Sequence, residues 1–225
     1  MGIANLLAFL AVYSSLEDTL SFTAFAKADY SRWQYVQEHL AQLRGSWEAM
    51  TAAAAAVVII CLLTAAVRAP YYRAIAGNRY PLAPDSLGEF VRLAGFIAIT
   101  YLIFYLPLFS VTAESTQGQI LGFALLVVAV LLVFADYALV FERLGPIRAM
   151  RRSVQLLRHG WHIAIIIYLA VYLLWAAMFA AFGYFYDNAT SVFPLFLLSQ
   201  LIIEALATVV VDVVLIFTFD YLRRV

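Results

Sequence analysis

Apolar residues run along this chain in long unbroken blocks separated by short polar stretches. A helix needs about 20 mostly apolar residues to cross a bilayer core of about 30 Å. Five blocks meet that length: residues 49–67, 93–112, 119–141, 161–183 and 192–219. None alternates apolar and polar positions as a barrel strand must, so the pattern predicts helices. The last block is longer than a span requires and starts near Pro194. It predicts a first turn at the interface or a tilted helix. A further block, residues 3–16, counted here as the first of six in chain order, is shorter and runs into Glu17-Asp18. Its length fits a short or tilted span, or an interfacial helix. As a signal-peptide core it lacks a basic stretch before it.

Two further segments are amphipathic. In residues 31–43, Trp33, Val36, Leu40 and Leu43 fall at helical spacing with charge on the other side. This predicts a helix lying on the outer surface. After the fourth block, Gly145-Pro146 predicts a left-handed stop at the glycine and a new helix starting at the proline. There Ile147, Met150, Val154 and Leu157 form an apolar stripe, and Arg148, Arg151, Arg152 and Arg158 occupy much of the remaining surface. The pattern is that of a basic helix parallel to the membrane, ended by His159-Gly160. Anionic lipid headgroups attract such a helix by about 1 kcal/mol per arginine. A plain topogenic connector explains the same pattern.

The whole reads as an all-α, polytopic transmembrane bundle of five or six spans with interfacial amphipathic helices. A single integral membrane domain covers residues 1–225: a short span or interfacial segment at 1–16, an outer loop at 17–48, and a five-span bundle at 49–225.

Composition agrees. The chain is 65% hydrophobic and 12% charged, with a mean hydropathy of +0.91. Soluble domains run about 45–50% apolar and about 25% charged, so a water-soluble fold is excluded. A net charge of zero also excludes a nucleic-acid binder, which needs a basic face.

That zero conceals a vertical sorting. Arg68, Arg73, Arg79 and Arg92 flank one loop, Arg143 to Arg158 another, and Arg223 and Arg224 the tail. The alternate loops carry only Glu114 and Asp187. By the positive-inside rule the arginine-rich loops and the C-terminus are cytoplasmic. The cytoplasmic segments then carry +7, the outer segments −4 and the membrane interior −3. Tyr30, Trp33, Tyr35 and Trp47 before the second block, and Tyr71, Tyr72 and Tyr80 after it, fit headgroup-level belts.

The interior charge is Asp136, Glu204 and Asp212, each costing roughly 2.5–3.5 kcal/mol near a helix centre. Gln200, Glu204, Thr208 and Asp212 follow one another at four-residue spacing and share one curved face. Such a polar stripe must face other helices or water. Asp136 and Asp212 lie about five and seven residues from the cytoplasmic ends of their blocks, so they are candidate neighbours. Two close carboxylates share a proton. The stripe therefore reads either as a transport or proton-relay path, or as a structural seam hydrogen-bonded within the bundle or to a partner subunit. No Lys or Arg is expected beside it.

Other candidates are bland. Ala52–Ala56, and Ala176/Ala180 with Ala177/Ala181, provide small-xxx-small spacing for close helix packing. Pro107 is expected to kink the third block. Cys61 lies inside a block and has no partner for an intrachain disulfide. His159 and His162 lack further ligands for a metal, so neither a metal nor a cofactor is expected. No phosphate loop, nucleophile elbow or metalloprotease helix occurs. Asn188-Ala189-Thr190 matches a glycosylation acceptor, relevant only in a eukaryotic secretory pathway.

The stretch from Ala135-Asp136-Tyr137 through Glu142-Arg143-Leu144-Gly145-Pro146 to Ala149 and Ser153 resembles a bacterial family of multi-span proteins. That family includes the membrane domain attached to some glycerophosphodiester phosphodiesterases, and stand-alone members of unknown function. Its pattern is an apolar helix, an acidic-plus-glycine turn, then Ala-x-x-x-Ser in a basic surface helix, matched by Glu142, Gly145, Ala149 and Ser153. Ala66-Val67-Arg68-Ala69-Pro70-Tyr71-Tyr72-Arg73, with Asn78 and Pro81 beyond, is similar to the family's earlier cytoplasmic loop. The likeness covers about residues 48–225. It implies six spans in a bacterial cytoplasmic membrane and no hydrolase activity, since the phosphodiesterase domain is absent. The expected function is a non-enzymatic accessory or scaffold subunit associating with lipids or other membrane subunits. A small transporter or channel component, or a lipid-active membrane enzyme, are the alternatives.

Overall fold

The computed structural model describes residues 2–17, 21–30, 35–36, 38–77, 86–105, 116–188 and 194–224. These residues are 94% helical, with no strand among them. The helices are α1 (Gly2–Leu16), α2 (Phe22–Tyr30), α3 (Leu40–Gly45), α4 (Trp47–Ala76), α5 (Ser86–Tyr105), α6 (Thr116–Leu131), α7 (Ala135–Phe141), α8 (Pro146–Asn188) and α9 (Pro194–Arg224). Five stretches are long and apolar enough to span a membrane: Trp47–Ala76, Leu87–Phe104, Thr116–Phe141, Ile165–Phe185 and Leu198–Arg224. They correspond one to one with the five blocks of the sequence. Helix α1, at 15 residues, is about 22 Å long and shorter than a bilayer core.

The chain divides into two compact units. One comprises Met1–Leu63 and Tyr172–Thr208, the other Thr64–Val171 and Val209–Val225.

In the first unit, Phe9, Val12, Tyr13 and Leu16 of α1 pack with Phe25 and Ala28 of α2, with Tyr35 and Leu43, and with Ala49 and Ala56 of α4. Rings dominate this cluster, with Phe9–Tyr35 centroids at 5.7 Å and Tyr13–Tyr35 at 5.3 Å. Residues 31–43 were expected to form one surface helix. Trp33 and several neighbours lie outside the described residues, but Tyr35 and Leu43 are buried against α1 rather than offered to lipid. Of the stripe, Val36 and Leu43 meet this core.

The second unit is built around Phe219, which is fully buried and meets the rings of Phe134, Tyr137 and Phe141 at 6.1–6.3 Å. Helix α5 packs along α7 and buries Leu93, Phe96 and Ile97. Four boundaries here differ from the sequence reading, each for a local reason. Helix α4 does not stop at residue 67 but runs on through Arg68 and Pro70 to Ala76, and ends where Gly77 adopts φ +58°. A left-handed glycine is the usual helix stop. The expected kink at Pro107 lies outside the described residues.

The span Thr116–Phe141 is not one helix. After Leu131 the chain makes a turn over 132–134 and restarts as α7. Helix turns are broken there, and the hydroxyl of Ser153 fills the gap. It donates to the Leu131 carbonyl at 2.7 Å and accepts from the Phe134 amide at 3.1 Å. Ser153 has no exposed surface, so it replaces water that cannot reach these groups.

Beyond α7 the left-handed residue is Arg143, at φ 53°, and not Gly145. Pro146 does open the next helix, as expected. That helix does not end at His159-Gly160, however. It bends at Gly160 (φ −135°, ψ 35°) and continues as the next span. A Cβ at Gly160 would lie 2.2 Å from Cδ2 of Leu222, so a larger residue there requires the Leu222 side chain to shift. Gly160→Ala is expected to cost about 1–3 kcal/mol by forcing the buried Leu222 aside. Unfolding in mixed detergent micelles measures it, and a paired Leu222→Ala change should recover part of the loss.

Candidate functional site

The three acidic residues of the spans divide into two settings. Asp136 sits in the first turn of α7, just after the break that Ser153 closes. Its Oδ2 accepts from Nη1 of Arg68 and, at 3.2 Å, from the hydroxyl of Tyr72. One turn separates Arg68 from Tyr72 on α4, so both reach the same carboxylate. Asp212 of α9 accepts from the Tyr137 hydroxyl at 2.8 Å. The hydroxyl of Tyr71 is buried near Asp212 as well, without a hydrogen-bond partner. The rings of Tyr72 and Tyr137 stand 4.8 Å apart between the two acids.

Asp136 and Asp212 are thus brought into one network, as their depths suggested. Each acid has its own donors, Arg68 and Tyr72 on Asp136 and Tyr137 on Asp212, and the two tyrosine rings join them. A cation is present where none was expected. Arg68 was read as the first loop residue, whereas it lies within α4, eight residues before the helix ends at Ala76. Ala65, Ala69, Tyr72 and Ala76 are all buried at helical spacing. That spacing was in the sequence, and it is the signal that extends the helix across Arg68.

The polar stripe on α9 does not act as one surface. Gln200 is buried, and its Nε2 donates to Oε1 of Glu204 at 2.8 Å. Thr208 turns its hydroxyl to the Glu204 backbone carbonyl one turn back. Asp212 belongs to the tyrosine network. Gln200 and Glu204 line an open groove of about 410 Å³ with Tyr172, Trp175, Met178 and Phe179 of α8. Among the described residues no cation pairs with Glu204.

The arginines of α8 also separate. Arg152 is taken up by Glu142, with Nε at 3.1 Å from Oε2. Arg223 approaches the same carboxylate at 3.4 Å, so Glu142 ties the end of α7 to α8 and α9. Arg148, Arg151 and Arg158 are exposed. A second ion pair, Arg73 with the buried Glu89, joins α4 to α5. His159 turns Nδ1 to the Gln155 carbonyl at 3.0 Å. Cys61 is a buried free thiol. The tripeptide starting at Asn188 runs outside the described residues.

In the first unit Glu17 accepts from the Tyr35 hydroxyl at 2.9 Å and lies 3.6 Å from Nε2 of His39. The Tyr35 and His39 rings stack at 4.1 Å. Burial, reinforced by the hydrogen bond to Glu17, holds the Tyr35 phenol above its ordinary range. Gln42 fixes the end of α1 by donating to the Leu16 carbonyl at 2.9 Å. Sequence reasoning missed this group, since its members come from three separate short segments.

Taken together, these features define a multi-span α-helical membrane protein whose interior charge is mostly satisfied by its own side chains. No family model, no curated protein and no solved structure matches the chain. The resemblance to the membrane domain of glycerophosphodiester phosphodiesterases rests on the residues quoted for it. Two of them now have a physical role, in that Ser153 closes the helix break and Glu142 anchors two arginines.

Proposed function

We propose that this protein is a non-enzymatic accessory or scaffold subunit of the bacterial cytoplasmic membrane, with its C-terminus on the cytoplasmic side. The observation that carries this reading is the partition of the interior carboxylates. Asp136 and Asp212 are held by fixed donors, which suits a bundle tie better than a carrier that must bind and release a proton or solute. Glu204 has one glutamine donor and otherwise faces an open groove. An intramembrane acid in that position is a handle for another membrane component. The exposed Arg148, Arg151 and Arg158 supply a second contact, to anionic lipid headgroups, with Arg152 kept for Glu142.

Extraction of the tagged protein in mild detergent tests this directly. A specific set of membrane proteins should accompany it, and Glu204→Leu should remove them. Ile202→Ala, on the exposed apolar side of α9, should leave them in place. Copurification unchanged in Glu204→Leu rejects the reading.

A further inference from the structure

Resting on the accessory-subunit reading, we infer that the Glu204 groove receives one transmembrane helix of a different protein, carrying a single Arg or Lys at the depth of Glu204. Three observations converge on that occupant. The first is charge. The Glu204 carboxylate has four acceptor positions, and among the described residues its side chain meets one donor, Gln200 Nε2. Acidic groups at membrane depth are stabilised by opposite charge, and none is supplied here by the described residues.

The second is the lining. Trp175, Tyr172 and Phe179 stand along the groove, all exposed. Aromatic faces attract guanidinium and ammonium groups, and do so more strongly where water is scarce. An anionic or purely aliphatic occupant would gain nothing from the Glu204 carboxylate.

The third is access. Ala176, Ala177, Ala180 and Ala181 are exposed on the same helix, so the two small-xxx-small pairs remain uncovered within this chain. They were read as spacing for close helix packing, and exposed as they are they allow a foreign backbone to approach closely. Only 6% of each spanning window in Ile165–Phe185 and Leu198–Arg224 is buried, so both walls of the groove have room for another helix.

A second copy of this chain does not fit. Its basic residues within the spanning helices are Arg68, Arg73, Arg92, Arg223 and Arg224, all toward the ends read as cytoplasmic. Glu204 is ten residues from the start of α9 at Pro194, about 15 Å along the helix from the outer end. A copy inserted with the same orientation brings no cation to that depth.

The test uses the full-length protein in vesicles of uncharged lipid. Leucine-rich peptides of about 20 residues, long enough to span, serve as probes and are read by energy transfer. One carries Arg at the depth of Glu204, one carries Arg near the cytoplasmic end, and one has Leu throughout. The depth-matched peptide should bind about tenfold more tightly than the other two, the scale of one interhelical polar contact. Glu204→Gln, which keeps size and a hydrogen-bonding group, should erase the preference, and Trp175→Ala should weaken it several-fold. Equal binding of the all-Leu peptide, or a preference that survives Glu204→Gln, overturns the inference. So does saturable, Glu204-dependent binding of a free hydrophobic cation, tetraphenylphosphonium, without any helix preference. If copurification depends on Glu204 while the Arg peptide shows no advantage, the accessory reading stands and the cationic partner falls. The opposite pair of results removes the accessory reading and leaves the groove's preference for a cationic helix.

Discussion

Arg68→Leu should lower the stability of the protein by about 3 kcal/mol, because it leaves the Asp136 carboxylate in place without its cation. The tyrosine at position 72 still donates to that carboxylate, so the loss falls toward the lower end for a broken buried pair. Arg68→Leu combined with Asp136→Leu should recover most of it, since no uncompensated charge remains. Unfolding by a denaturing detergent, with the single and double variants side by side, gives the coupling directly. A single variant as stable as the parent would show that Asp136 is satisfied without Arg68, and the account of the network would fail. The same variant separates two views of the interior acids. A structural tie predicts lost stability in Arg68→Leu, and a relay predicts altered flux in a protein of unchanged stability.

Ser153→Ala should cost about 2–4 kcal/mol. One hydroxyl serves two backbone groups, and each left unpaired costs about 1–3 kcal/mol. The substitution removes a single oxygen from a site with no access to solvent. Amide exchange at Phe134 should accelerate well beyond the global loss, because that N–H has no other acceptor across the turn. Equal acceleration at every core amide would point to a general loosening instead.

These two residues show what the sequence revealed and what it concealed. Long apolar runs announce spanning helices, and all five blocks became helices, since the bilayer leaves few other solutions. Boundaries were harder. The arginine at 68 looked like the end of a span because charge is costly in lipid, and hydropathy alone takes no account of a partner 68 residues further along the chain. The spacing of Ala65, Ala69, Tyr72 and Ala76 carried the missing information. The break at 132–134 left no trace of its own, as Leu132-Val133-Phe134 reads like any stretch of span. Its mark is displaced to Ser153 on the next helix, which the sequence offers only as one letter of a short motif in a basic segment. The stripe from Gln200 to Asp212 was visible as spacing. Its division into a Gln200–Glu204 pair, a self-satisfied Thr208 and a networked Asp212 depends on what each residue meets. Periodicity on one helix does not carry that.

The bend at Gly160 joins a charged arm to a spanning helix with no loop between them. A flexible linker would absorb any pull on Arg148, Arg151 or Arg158 before it reached the bundle. A helix interrupted at a single residue leaves no such slack, and the direction of the arm is set at Gly160, beside the side chain of Leu222. The arm and the span therefore share one register, so that a rotation of the span about its own axis swings these arginines with it.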